Sequence, residues 1–292
     1  MRLALIVNPS AGGGRARRSL PAVRSALTGH GLEHHADFTQ SLEHARALAR
    51  AAAGAGEAAV AFGGDGLVGA VAGALSQSGG VLGILPGGRG NDLARVLGIP
   101  LQPVPACAVL GDGNTRVLDL GEVAGRTFVG IASCGFDSVA NRIANETRLV
   151  RGNLVYAYGA LRALWRWHPA TFQVTLDDGR RHTVTGYTVA AANSGAYGGG
   201  MMLAPDASLQ DGLLDVVLIG DFPRRRFLAL LPTVFHGAHV RQPHVKVLRS
   251  TEVTISASRP FTLYADGDPI AQLPVTVRAR PAAVRTLVPA IP

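Results

Sequence analysis

A chain of 292 residues with 47% hydrophobic and 16% charged residues can bury the core of one large domain or of two ordinary ones. No apolar run approaches the ~20 residues of a membrane span, and the opening MRLALIV meets NPSAGGG instead of a small-residue cleavage site, which fits a buried first strand better than a signal peptide. A net charge of +8 favours an anionic partner such as a nucleotide, a nucleic acid or an anionic lipid surface, although 27 of the 28 basic residues are arginines, as genome composition alone could produce.

Residues 1–120 alternate short apolar runs with helical stretches. LALIV precedes Arg15 to Thr28, HHADF precedes Leu42 to Ala53, AAVAF precedes Leu67 to Leu75, and VLGIL precedes Asp92 to Leu97. This βαβα rhythm predicts an α/β fold, a parallel sheet covered by helices. Ligands in such folds collect at the carboxyl ends of the strands, where NPSAGGG, TQS, GGDG and PGGRGND would converge. From Glu122 the texture changes to β-branched runs broken by turns, among them TFQVTLDDGRRHTVTGYTVAAAN, GLLDVVLIG, STEVTISA, PFTLYADGD and PVTVRA. These predict a mostly antiparallel β domain with DDGR as a hairpin turn, interrupted by helical pieces at Phe136 to Glu146 and Gly152 to Trp167. The expected division is 1–121 and 122–292, with no internal repeat.

Several chemistries are excluded by scarcity. The single lysine, Lys246, lies in none of the contexts required by a P-loop kinase, a protein kinase or a pyridoxal enzyme. Cys107 and Cys134 have neither metal-ligand spacing nor a disulfide framework, which suits a reducing, cytoplasmic compartment. His34 with His35, and His236 with His239, have no third ligand nearby and read as solvated or satisfied side chains.

Each loop has a bland reading beside a chemical one. NPSAGGG after a strand is either a turn or a place where backbone N–H groups at a helix start hold phosphate. GGDG is more pointed, because glycines let phosphate oxygens approach the backbone while Asp65 can hold Mg²⁺ directly or through water. In LPGGRGNDLAR, Asn91 and Asp92 open a helix, and Asp92 is either its cap or a second metal-handling carboxylate.

Taken in order, NPSAGGG, GGDG, PGGRGND, NSGAYGGGMMLAPDASLQDGLLDV and YADGD resemble the diacylglycerol kinase catalytic-domain family, with its bacterial lipid kinases, over nearly the whole chain. The resemblance implies an N-terminal α/β nucleotide-binding domain and a C-terminal β-sandwich with ATP and lipid meeting between them. It further implies Mg²⁺-dependent transfer of the γ-phosphoryl group of ATP to a lipid hydroxyl, foremost that of diacylglycerol. Carried over by position, nucleotide contacts fall on Asn8, Pro9, Ser10, Ala11, Gly12, Thr39, Gly64, Asp65, Gly66, Leu67, Val68, Gly69, Ala70, Arg89 and Asn91. Asp65 and Asp92 would organise Mg²⁺ and the phosphates, and Asp268 would be the general base. A metal site would use Asp119, the Asp211 side chain and the backbone carbonyls of Ser208 and Leu213.

The chain departs from the family pattern at three places. Leu67 and Arg89 stand where the family commonly has Thr, and Asp268 is one methylene shorter than the usual Glu. Arg89 could instead pair with phosphate or join a surface ion pair. Relatives of NAD kinase and phosphofructokinase share a GGDG loop but not APDASLQDGLLDV and YADGD; a nucleotide-binding, membrane-associated regulator without catalysis is the alternative of another class. A nucleic-acid partner is not expected, since clustered basic and aromatic motifs are lacking, and a homodimer is left open. In LRALWRWHPA a helix would set Arg162 and Arg166 on one stripe and Leu161 and Trp165 on the next, and FPRRRFLALLP places Arg224, Arg225 and Arg226 beside Phe227 and Leu228. Both suit peripheral contact with an anionic membrane, or else a core with solvated arginines.

Overall fold

The computed structural model describes residues 1–146 and 154–290. The first part follows the expected rhythm: β1 (Leu3–Val7), α1 (Ala11–Gly29), β2 (His34–Phe38), α2 (Leu42–Gly54), β3 (Ala58–Gly63), α3 (Asp65–Leu75), β4 (Val81–Pro86) and α4 (Asp92–Val96). These strands are parallel in the order β4-β3-β1-β2. β1 and β3 are buried along their whole length, and so read as unbroken apolar runs. Helix α3 is built from Gly, Ala, Val and Leu because it is enclosed; a Cβ at Gly73 would lie 2.1 Å from Thr127 Oγ1. Helix α5 (Pro103–Asp112) was not among the elements read from the sequence, and it carries two prolines, Pro103 and Pro105. Both fall in its first turn, where an N–H has no intrahelical partner to lose.

The second part comprises β5 (Thr115–Val123), β6 (Arg126–Phe128), β7 (Ile131–Gly135), α6 (Phe136–Glu146), α7 (Leu154–Arg166), β8 (Ala170–Leu176), β9 (Arg181–Ala192), β10 (Leu214–Gly220), α8 (Arg224–Leu230), β11 (Val245–Ser250), β12 (Glu252–Ala257), β13 (Thr262–Ala265), β14 (Asp268–Gln272) and β15 (Val275–Leu287). Apart from the end of β15, these strands pair antiparallel, and Asp177 to Arg180 make the β8–β9 hairpin turn. The expected start of the helix at Gly152 lies outside the described residues. His236 and His239 lie on 3-10 turns.

Two apolar cores result, one under the parallel sheet and one within the antiparallel strands. The chain passes between them at several places among the described residues. Val129 belongs to the first core and Ile131 to the second. β15 begins beside β12 and ends parallel to β4, so Val284, Leu287 and Val288 pack into the first core. Leu287 is fully buried there, so Leu287→Ala should cost ~2–5 kcal/mol, read as a lower urea midpoint. A midpoint equal to wild type would show that the last strand contributes nothing to that core.

Candidate active site

Three loops meet at the carboxyl ends of β1, β3 and β4. In the first, Asn8 Oδ1 accepts the Ser10 N–H at 3.0 Å and the Ser10 hydroxyl at 2.9 Å, while Gly12, Gly13 and Gly14 all take left-handed φ values of 58°, 68° and 85°. Gly12 is pressed on the third loop, where a Cβ would lie 2.4 Å from the Gly87 carbonyl oxygen. Between the second and third loops, Gly87 N–H donates to the Gly63 carbonyl at 2.7 Å, and a Cβ at Gly88 would lie 2.4 Å from the Gly64 Cα. Only glycines allow this approach.

Asp65 closes the arrangement. Its carboxylate accepts the Asn91 N–H at 2.8 Å and the Asp92 N–H at 2.6 Å, so it occupies the start of α4 while standing on the first residue of α3. Asn91 holds φ 54°, a left-handed conformation that Asn tolerates, and its amide exchanges two bonds with the Gly88 backbone. The Asp92 carboxylate is not the helix cap; it accepts the Gly199 N–H at 2.9 Å and so draws in the GAYGGG loop. Burial, and then the charge of Asp92, push the Asp65 carboxyl above its ordinary range.

The remaining candidates fall into distinct surroundings. Leu67, Val68 and Ala70 are buried, so their side chains form packing behind the loop. Gly64, Gly66 and Gly69 stay partly open, as do Pro9 and Asn8, and Ser10 is exposed, whereas Ala11 is buried. The Thr39 hydroxyl donates to the Ser41 carbonyl at 2.6 Å. Arg89 is exposed and takes part in no ion pair among the described residues. Asp268 is exposed in a cleft whose walls include Gly66, Gly69, Arg46, Arg126 and Asp266.

Asp119, on β5, is tied to the loop that carries Ser208, Asp211 and Leu213: its N–H donates to the Leu209 carbonyl at 2.7 Å. Asp119 is buried, and its two oxygens accept the N–H groups of Gly212 and Ala282, each at 2.7 Å. Asp211 is exposed and accepts the Leu213 N–H at 3.1 Å. The donors here are carboxylate and carbonyl oxygens, the hard ligands that suit Mg²⁺. Among the described residues, no three His, Cys, Asp or Glu side chains cluster as a metal site. The histidines are held locally: His35 lies 3.5 Å from Asp37, and buried His239 contacts the Leu203 carbonyl at 3.1 Å. Cys107 and Cys134 are buried, and burial pushes the Cys107 thiol up to about 11.

One functional candidate went unassigned in the sequence reading. Asp266, the first carboxylate of YADGD, accepts the N–H groups of Val129 at 2.8 Å, Gly130 at 2.9 Å and Ile131 at 3.2 Å. Asp266 and Gly267 form the β13–β14 turn with φ values of 49° and 91°. The Asp-Gly pair signals such a turn, but nothing in the sequence tells that its side chain reaches back to residues 129–131.

Comparison with known proteins adds two family models and several relatives. Residues 2–123 match the diacylglycerol kinase catalytic domain, and residues 130–288 match the YegS C-terminal NAD kinase beta sandwich-like domain. The chain is 34% identical to a diacylglycerol kinase of Mycobacterium tuberculosis, covering 99% of this chain and 95% of that one. A YegS-like lipid kinase of Pseudomonas aeruginosa is 31% identical over 99% of this chain and 94% of its own. The crystal structure of a diacylglycerol kinase from Bacillus anthracis superposes with a TM-score of 0.77 at 19% identity, covering 99% of this chain and 97% of that one, and so shares the fold.

Asp266 also carries a pH signature. Burial pushes its carboxyl up to about 6 from the ordinary 3.8, outweighing the N–H groups that pull it down. A raised carboxyl contributes stability in full below about pH 4, and that contribution fades as pH rises through about 6. The stability difference between wild type and Asp266→Asn, measured by urea unfolding, should therefore narrow between pH 4 and pH 7. A difference that widens over that interval would contradict this ionisation.

Proposed function

The chain belongs to the diacylglycerol kinase catalytic-domain family and is a lipid kinase, and from that premise we propose that it transfers the γ-phosphoryl group of ATP to the hydroxyl of diacylglycerol, giving phosphatidic acid. The observation that carries this reading is the convergence of three glycine-rich strand ends on Asp65 and Asp92, with Asp65 at the start of helix α3, whose Gly66 and Gly69 line a cleft with Asp268. In this reading residues 1–121 bind ATP and residues 122–292 present the lipid.

Phosphoryl transfer asks for alignment, charge neutralisation and a base. The Asn8-to-Gly14 turn and the GGDG loop offer backbone to the phosphates, and Asp65 and Asp92 fix that rim. Asp268 takes the proton from the acceptor hydroxyl as its oxygen bonds to the γ-phosphorus and the bond to ADP breaks. Mg²⁺, when bound, would supply the positive charge that lets Asp65 and Asp92 remain ionised side by side and that offsets charge on the phosphates. Ser208, Asp211 and Leu213 would hold a second ion through oxygens, with Asp119 shaping their loop.

Access to the acceptor is by a membrane face. No helix of the described residues is long and apolar enough to cross a bilayer. On α7, Trp165 is 82% exposed and Leu161 is 54% exposed, with Arg162 and Arg166 also at the surface. In the second candidate, FPRRRFLALLP, Phe227 is instead buried and stacked on Tyr187 at 3.8 Å, while Leu228 stays exposed. We assign the exposed face of α7 to an anionic lipid surface, where indole sits at headgroup level.

Purified protein with Mg²⁺ and labelled ATP should phosphorylate diacylglycerol in a panel that includes sphingoid bases, NAD and sugar phosphates. Product only from NAD, or none from any acceptor, would favour an NAD kinase-like enzyme or a regulator. Asp268→Asn should lower turnover ~10²–10⁴-fold while ATP binding survives; wild-type turnover would remove Asp268 as the base. Trp165→Ala with Arg166→Glu should weaken co-sedimentation with vesicles containing anionic lipid. Equal binding would move the membrane contact elsewhere.

A further inference from the structure

Resting on the reading of Asp268 as base, we infer that Asp266 is the residue that positions it across the cleft. Asp266 precedes Asp268 by two residues in a tight turn, so its anchoring fixes where Asp268 stands. The anchor is the segment Val129–Ile131, all three of whose N–H groups bond to the Asp266 carboxylate. That segment also joins the two cores, Val129 packing into the first and Ile131 into the second.

The other side of the same segment is held as firmly. The side-chain amide of fully buried Asn193 donates to the Val129 carbonyl at 2.9 Å and to the Asp119 carbonyl at 3.0 Å, and the N–H groups of Asn193 and Ser194 donate to the Gly130 carbonyl. A continuous series of hydrogen bonds therefore runs from Asp119 through Asn193 and Val129 to Asp266. Space is also tuned around the carboxylate. A Cβ at Gly130 would lie 2.6 Å from Asp266 Oδ1, and one at Gly69 on α3 would lie 3.4 Å from Oδ2. Asp266 thus binds residues 129–131, belongs to the hairpin of Asp268 and faces Gly69 of the helix that begins at Asp65.

Asparagine at 266 keeps the shape but turns an N–H₂ group toward backbone N–H groups that need an acceptor. The hairpin then shifts relative to α3, and a displacement of order 1 Å costs up to ~10²-fold in rate. Asp266→Asn should lower kcat ~10–10²-fold and leave the KM for ATP within about twofold, because the phosphate loops keep their own bonds. Gly130→Ala, which crowds the carboxylate without removing it, should act in the same direction and guards against a variant that fails to fold.

The deciding measurement is a double-mutant cycle with Asp268→Asn, assayed with Mg²⁺-ATP and diacylglycerol and accompanied by thermal melting. If Asp266 acts through Asp268, neither Asp266→Asn nor Gly130→Ala lowers kcat further once Asp268 is Asn. A wild-type kcat for both Asp266→Asn and Gly130→Ala overturns the inference, and so does a full multiplicative loss in the double variants. Wild-type turnover by Asp268→Asn alone overturns the base assignment instead, and the two failures are told apart by that single variant.

Discussion

The Asp65 carboxylate accepts the backbone N–H groups of Asn91 and Asp92, and the rim of the nucleotide side is arranged around those two bonds. They tie the end of β3 to the turn after β4, with Asn91 held left-handed and the Asp92 carboxylate directed to Gly199. Without them, the Gly63–Gly87 and Gly64–Gly88 contacts would lack a lateral tether. One acidic side chain between two helix starts therefore sets the shape of three loops, and it does so where the partial positive charge of each helix start favours an anion.

The same region concentrates negative charge. Asp65 and Asp266 are both pushed above the ordinary carboxylate range by burial and by neighbouring carboxylates. Backbone N–H groups meet each of them, but they carry only partial charge and offset the burial of the carboxylates only in part. Such preorganisation suits phosphoryl transfer, in which fixed groups act more by alignment and charge than by covalent chemistry.

The two halves act as one frame because the chain stitches them together. Strand β15 runs from the antiparallel layer into the parallel sheet, and in Val129–Ile131 neighbouring side chains pack into different cores. Both segments are held by acidic anchors: Asp119 receives Ala282 from β15, and Asp266 receives residues 129–131. Asp266 itself stands in the wall of the cleft between α3 and the β13–β14 hairpin, so the hairpin side of that cleft is held by its bonds to residues 129–131.

The sequence by itself determined the local elements: alternation of apolar runs and helical stretches placed β1 to β4 and α1 to α4, and glycines around lone carboxylates marked the rim. These signals are short-range, set by periodicity and by the steric freedom of glycine. It left α5 unassigned, and it could not tell that Phe227 stacks inward while Trp165 stays out. Nor could it tell that the Asp92 carboxylate binds Gly199 across 107 positions, or that Asp266 reaches residue 129 across 137. Those partners were decided by the tertiary structure, because a carboxylate's bonding to distant N–H groups depends on how the sheets pack, and no local pattern records which strand end will arrive beside it.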